Sequence, residues 1–531
     1  MIGAVKKKGR DIMAWYDEAV FYHIYPLGLT GAPARNPYTA PVRRLDTLGP
    51  WIDHIRDLGC NALYIGPLFE SVGHGYETTD YLRLDSRLGT NEDLKAFVTR
   101  CHDRGIRVVL DGVFNHVGRD FFAFRDLLEK REGSSYVNWF HRVDFWGNNR
   151  FGDELRYDNW GGDDALVKLD QKNPAVQHYI GDVIRTWVRE FDIDGIRLDA
   201  ADVLDHGFMR YLRQVANEVK PEFWLMGEVI HGNYTMWVND WTLHSVTGYQ
   251  LHKALYSGHN DHNYFEIAHT VKRMEDAGLK LYNFVDNHDV ERIHTRLRDR
   301  AHFGPVHILL YTLPGIPSIY YGSEFGIEGR KMPGSDGSLR PALTLSGLPR
   351  DHRVELIRAL GKIRRETKVL SYGDYRELVL STTHYAFSRA CGQWEALVAV
   401  NNDHSAVTLR LPVKRDGVYI GALSGERSTA SGGILTVTVA GCWGEIWLPE
   451  DMQGQDIQPV ARPTRQERPQ VAAQAKVAVP DKPYEHMTIP ELQQAILDKM
   501  AKNGPVTDRM RQDVMENHWR NSLLTWVRSF Q

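Results

Sequence analysis

Four short strings in this chain set carboxylates beside histidine, asparagine or arginine. They are Asp111-Gly112-Val113-Phe114-Asn115-His116, Gly195-Ile196-Arg197-Leu198-Asp199, Gly227-Glu228-Val229 and Phe284-Val285-Asp286-Asn287-His288-Asp289. Such a set suits chemistry in which one carboxylate attacks or takes a proton while another carboxyl group gives one. Arg197 stands two residues before Asp199, on the same side of an extended segment, where it can hold that carboxylate ionised. Each string directly follows an apolar run: Ile106 to Val113, Phe191 to Leu198, Phe223 to Met226 and Leu281 to Val285. Runs rich in Val, Ile, Leu and Phe read as strands covered on both faces. A parallel (β/α)₈ barrel is the arrangement that carries such strand-end residues to one rim.

At these residues the chain resembles the α-amylase superfamily of glycoside hydrolases, whose signature regions D-x-x-x-N-H, G-x-R-x-D, a strand-end Glu and x-N-H-D occur here in order. The resemblance covers roughly residues 15 to 450. It implies a retaining mechanism through an oxocarbenium-like transition state, with Asp199 as nucleophile and Glu228 as general acid/base. Asp289 resembles the third carboxylate, which grips sugar hydroxyls. His116 and His288 would donate to hydroxyls of the same sugar, Arg197 would orient Asp199, and Asp111 would orient the constellation from behind.

Further strings carry the resemblance. Gly73-His74-Gly75-Tyr76-Glu77 is similar to the segment whose Tyr stacks beneath the sugar, which makes Tyr76 the platform. Exo-acting α-glucosidases usually carry an acidic residue where this chain has Gly73. Asp336 and Arg340-Pro341 resemble a sugar-contacting segment of neopullulanase-like members. Leu166-Val167-Lys168-Leu169-Asp170 places Lys168 where typical α-amylases put a calcium-binding Asp, and in this it resembles the neopullulanase and cyclomaltodextrinase branch. That branch usually shows Pro and a final Asn in this string, and an Asn-Glu pair where this chain has Ala200-Ala201-Asp202-Val203. Its N-terminal domain is not expected here, since the barrel begins near Phe21.

No cofactor is implied. The usual calcium site is expected to be absent or weak, with Asn115 as a structural hydrogen-bonding residue. The Asp-rich stretch around Asp153, Asp158, Asp163 and Asp164 is the alternative place for calcium, against the reading of a solvated acidic loop.

A formal net charge of −4 over 531 residues gives no field for nucleic acid or an anionic membrane, and neutral partners fit better. No apolar stretch follows the basic cluster Lys6 to Arg10, so no secretory signal is expected, and none approaches the length of a membrane span. Cys60, Cys101, Cys391 and Cys442 are widely spaced without C-x-x-C pairs and read as buried reduced thiols suited to a cytoplasm.

The expected fold is α/β: a (β/α)₈ TIM barrel with a small domain inserted after strand 3, a C-terminal all-β sandwich and a C-terminal helical hairpin. The barrel takes 15–114 and 174–370, the inserted domain 115–173, the sandwich 371–450, a linker 451–483 and the hairpin 484–531. The first strand is read as Phe21 to Leu27, the second as Ala62 to Ile65, the sixth as Ser245 to Gln250 and the eighth as Ile319 to Tyr321. In the hairpin, Thr488 and Glu491 suggest a capping box, with Leu492, Ile496 and Met500 on one face. Met510, Val514, Trp519, Leu523, Trp526, Val527 and Phe530 line a second helix that must dock on its own chain, a second copy or a foreign partner. The reading is a retaining hydrolase of α-1,4 bonds in maltooligosaccharides or related dextrins, with transglycosylation as a side outcome. An α-glucosidase, isomaltase-like enzyme or glucan transferase on the same scaffold is the alternative, and a catalytically inactive interaction protein the remote one.

Overall fold

The computed structural model describes residues 14–452 and 489–503, which belong to two separate compact units. In the first, eight parallel strands make the central sheet: Phe21–Ile24 (β1), Ala62–Ile65 (β2), Arg107–Gly112 (β3), Gly195–Leu198 (β4), Trp224–Gly227 (β5), Ser245–Val246 (β6), Tyr282–Phe284 (β7) and Ile316–Tyr320 (β8). They pair in the order β6-β5-β4-β3-β2-β1-β8-β7. A parallel bridge between Thr247 and Tyr282 joins the ends and closes the barrel. At that seam the Gly248 N–H donates to the Tyr282 carbonyl at 2.8 Å. A Cβ on Gly248 would come within 2.5 Å of Asn283 Oδ1, so glycine lets the two strands meet.

Successive side chains of a strand alternate between faces. Phe21, Ala62, Tyr64, Val109, Trp224, Met226, Tyr282, Phe284 and Ile316 thus form one apolar cluster inside the barrel. Asp111 and Glu228 stand two residues beyond Val109 and Met226, so the same alternation that packs the interior delivers the carboxylates to its rim.

Some boundaries differ from expectation. The first strand stops at Ile24 because Pro26 opens the one-turn helix Pro26–Leu29. Phe191 is the last residue of the helix Pro174–Phe191, ended by Asp192 in the left-handed conformation at φ 56°. The sixth strand has two residues, since Tyr249 already starts the helix Tyr249–Asn260. The eighth begins earlier, at Ile316.

Between β3 and β4 the chain makes a three-stranded antiparallel sheet from His116–Gly118, Asn159–Trp160 and Asp163–Lys168, with the helix Phe122–Lys130. The carboxylates of its acidic loop already have partners: Asp153 pairs with Arg119 at 2.8 Å, Asp158 meets His141 at 2.6 Å and Asp163 pairs with Arg150 at 2.5 Å. Asp164 accepts the Arg150 N–H at 2.8 Å. Asn173 then caps the helix Pro174–Phe191, its Oδ1 accepting the Ala175 N–H at 2.9 Å. After the barrel, a six-stranded antiparallel sheet faces the two-stranded sheet of Val407–Pro412 and Ile434–Val439. Leu397, Leu409, Leu411, Leu435, Val437 and Trp447 fill the space between them, which makes a β-sandwich.

In the second unit Ile489–Asn503 is helical as expected, with Leu492 and Ile496 buried. Thr488 and the second hairpin helix, Met510 to Phe530, lie outside the described residues. Among the described residues no helix is long and apolar enough to cross a membrane. All four cysteines are buried free thiols.

Candidate active site

The strand ends converge on Arg197. Its Nη1 lies 2.9 Å from Asp111 Oδ1 and 2.8 Å from Asp199 Oδ1, and its Nη2 lies 2.8 Å from Glu228 Oε2. One buried guanidinium therefore holds three carboxylates contributed by β3, β4 and β5, which are neighbours in the sheet. Burial raises the Asp199 pKa, Arg197 pulls it down, and the carboxylates of Glu228 and Asp111 push it up again; the net direction is upward.

A second cluster forms beyond β7. Asp289 accepts from Arg340 Nη2 at 2.8 Å, its other oxygen lies 3.0 Å from His288 Nε2, and the Arg340 guanidinium also reaches Asp336 at 3.1 Å. Burial opposes ionisation of Asp289, but His288, Arg340 and Arg197 outweigh it and hold its pKa well below the usual carboxylate range. The Arg340 guanidinium carbon lies over Tyr25, 4.6 Å from the ring centre, and Nε donates to the His288 carbonyl at 3.0 Å. The loop carrying Asp336 and Arg340 is thereby fixed to the rim.

Tyr76 is joined to both clusters, its hydroxyl meeting Asp111 Oδ2 at 3.3 Å and His288 Nε2 at 2.5 Å. Its ring is parallel to that of His288, with centres 5.9 Å apart. His116 Nδ1 faces the amide Nδ2 of Asn115 at 3.2 Å, so Nδ1 accepts and Nε2 carries the proton. That Nε2 is buried without a protein partner. Burial lowers the His116 pKa to about 3, which keeps the ring neutral.

A cavity of about 290 Å³ opens over these groups, walled by Tyr76, His116, Asp199, Glu228, Asp289, Asp336 and Arg340. Asp111, Arg197 and His288 stand behind this wall, each no more than 3% exposed. The wall also includes His74, Trp160, Leu166, Ala200, Asp202 and Ile230, which sequence reasoning did not single out as site residues. Two buried tyrosines complete the set: Tyr64 donates to Asp111 at 2.8 Å, and the Tyr249 hydroxyl lies 3.4 Å from Glu228 Oε1 and 3.2 Å from Asn287 Nδ2. Trp160 is parallel to His116 across 6.4 Å. Its place in a Gly- and Asp-rich loop gave no spacing to read.

Asn115 is fully buried, and its Oδ1 accepts from Gln171 Nε2 at 3.1 Å while Gln171 Oε1 accepts the Asp205 N–H at 2.6 Å. Lys168 pairs with the next residue, His116, across the inserted sheet. Amide oxygens already taken by hydrogen bonds from Gln171 Nε2 and the Asp205 N–H are poorly suited to calcium, which takes several oxygen ligands.

The family pattern of the α-amylase catalytic domain matches residues 45–398, which carry Tyr76, Asp111, Arg197, Asp199, Glu228, Asp289 and Arg340. The chain belongs to the α-amylase family. It is a glycoside hydrolase of that family. It is similar to a cyclomaltodextrinase of Geobacillus thermopakistaniensis (30% identity; 80% of this chain, 76% of that one). A second relative is neopullulanase 2 of Thermoactinomyces vulgaris, at 30% identity over 80% of this chain and 76% of that one. Among solved structures, the debranching enzyme of Nostoc punctiforme superposes with a TM-score of 0.72 at 29% identity, covering 82% of this chain and 98% of that one.

Proposed function

We propose that the enzyme cleaves α-1,4-glucosidic bonds in maltooligosaccharides and related dextrins with retention of configuration, and that transfer to a sugar acceptor competes with hydrolysis. The observation that carries this reading is the single guanidinium of Arg197 bound to both Asp199 and Glu228. Carboxylates held on adjacent nitrogens of one cation suit the short separation of about 5–5.5 Å of a retaining pair better than the wider inverting one.

Asp199 attacks the anomeric carbon while Glu228 gives its proton to the departing glycosidic oxygen. Glu228, now ionised, then takes a proton from water, whose oxygen displaces Asp199. A sugar hydroxyl in place of that water gives transfer. The reaction starts with Glu228 carrying the proton it gives up and Asp199 ionised against the Arg197 guanidinium. Asp289, held ionised by its neighbours, accepts hydrogen bonds from sugar hydroxyls, and the Nε2–H of His116 donates to one. Tyr76, fixed at its hydroxyl, offers its ring beneath the sugar. Relatives named cyclomaltodextrinase and neopullulanase support dextrins as the substrate class.

NMR of the newly released anomer, with product analysis on maltotriose, cyclodextrins, pullulan and isomaltose, tests the proposal. Retained α-anomer and maltose-type products from the α-1,4 substrates are expected. An inverted product, or turnover confined to isomaltose, would overturn it.

A further inference from the structure

Away from the catalytic cavity, Asp299, His302 and Cys442 each bring one ligand-type atom within 4.8 Å of the others. His404 stands beside the group, with Nε2 3.2 Å from Asp299 Oδ2 and Nδ1 3.5 Å from Cys442 Sγ, and its ring must turn to present a single nitrogen to a shared ion. We propose that these four residues form a zinc site tying the barrel to the C-terminal sandwich.

The donor set is one thiol, two imidazoles and one carboxylate, the types that zinc takes in four-coordinate tetrahedral sites. Bonds of about 2.0–2.3 Å put neighbouring ligand atoms roughly 3.5 Å apart, so small side-chain movements close the site. His302 is prepared for the role. It is 1% exposed, its Nε2 lies 3.0 Å from the Asn402 carbonyl, and its Nδ1 is buried with no partner in the protein. A ring that donates one N–H to a carbonyl keeps its lone pair on the other nitrogen, the arrangement that orients metal-bound histidines. Asp299 uses Oδ1 to accept the Ala301 N–H at 2.9 Å, which leaves Oδ2 turned to His404.

The backbone is shaped to bring these residues together. Cys442 has φ at +50°, a conformation that L-residues with side chains rarely hold. Its N–H donates to the Asp403 carbonyl at 2.7 Å. A Cβ on Gly441 would sit 1.9 Å from the His404 carbonyl oxygen, so the two sandwich loops approach this closely through a glycine. Asp299 and His302 flank the turn that leads into the barrel helix Phe303–Thr312. The site therefore spans two layers that folding alone must otherwise hold together. His404, with three quarters of its side chain exposed, is the ligand that swings in from solvent to close it. Binding displaces the thiol proton of Cys442 to water.

The full chain, stripped of metal and dialysed, is titrated with cobalt(II) and then zinc(II). One cobalt per chain with a thiolate-to-cobalt charge-transfer band, displaced by one zinc, is expected, together with a zinc-dependent rise in Tm. Cys442→Ser abolishes the band. His404→Ala, a change at an exposed side chain, weakens zinc by about 10-fold or more with unchanged circular dichroism and unchanged hydrolysis. No thiolate band in the wild type, a band that survives Cys442→Ser, or wild-type zinc affinity in His404→Ala would each overturn the proposal.

Discussion

Arg197 and Glu228 meet at 2.8 Å, Nη2 to Oε2, while Nη1 of the same side chain holds Asp199 at the same distance. The residue assigned as the acid thus rests against a cation, and its protonation must loosen that contact. Arg197→Lys retains the charge as a point and loses the fork. We expect kcat to fall by about 10²–10³-fold, the scale seen when a preorganised donor is removed, with KM altered far less. Steady-state kinetics on maltotriose check this, and a kcat near that of wild type would refute it.

Glu228 and Asp199 separate by leaving group. Glu228→Gln loses proton donation and should slow maltooligosaccharide cleavage by about 10²–10⁴-fold, yet release fluoride from a glycosyl fluoride at a far smaller penalty. Asp199→Asn should be inactive on both. Equal losses in the Glu228 variant on the two substrates would remove Glu228 from the acid role.

Calcium addition to the metal-stripped enzyme should change neither Tm nor activity. The Asn115 oxygen is taken by Gln171 and the Gln171 oxygen by the Asp205 N–H, and the acidic loop of the inserted domain is paired with Arg119, His141 and Arg150. A calcium-dependent Tm rise would contradict this.

Several histidines are buried as neutral rings. Burial lowers His116, His244 and His259 to about 3, and His252 and His307 to about 4. Above about pH 6.5, the ordinary value, folded and unfolded rings are both neutral and contribute no difference. Below it the unfolded chain takes up protons that the folded chain refuses. Stability therefore falls as pH drops from about 6.5 toward 4, by up to about 1.4 kcal/mol per pH unit for each such ring. A pH series of melting temperatures checks this, and a flat Tm between pH 7 and 4.5 would be inconsistent with it.

Much of the barrel was legible because its strands are buried on both faces. Ala62–Ile65 begins and ends where the apolar run does. Phe191 misled because an apolar helix end runs on toward a strand, and only the left-handed Asp192 separates them. The sixth strand was hard to place because two residues make no pattern. At the site, the strand-end strings pointed to Asp199, Glu228 and Asp289, which line the cavity, but not to depth: Asp111, Arg197 and His288 lie behind the wall that Trp160 and Asp202 help to form. Tyr64 and Tyr249 look like core aromatics in sequence, and only tertiary packing turns their hydroxyls toward Asp111 and Glu228.

The closing seam falls between the strands that carry Glu228 and Asp289. Asp199 and Glu228 follow β4 and β5, which run in register over four residue pairs. Asp289 follows β7, joined to the two-residue β6 by a single bridge. Thr247 also bonds Gly227 and Val229 on either side of Glu228, its N–H donating to the Gly227 carbonyl at 3.0 Å and its hydroxyl accepting the Val229 N–H at 2.9 Å, so the seam is coupled to Glu228 as well as to Asp289, while Asp199 stands one strand further away. Amide hydrogen exchange faster at Gly248 than at Arg197 and Met226 would register that seam. The weakest join of the barrel thus lies between the acid and the sugar-gripping carboxylate, and the nucleophile is the member of the trio set furthest from it.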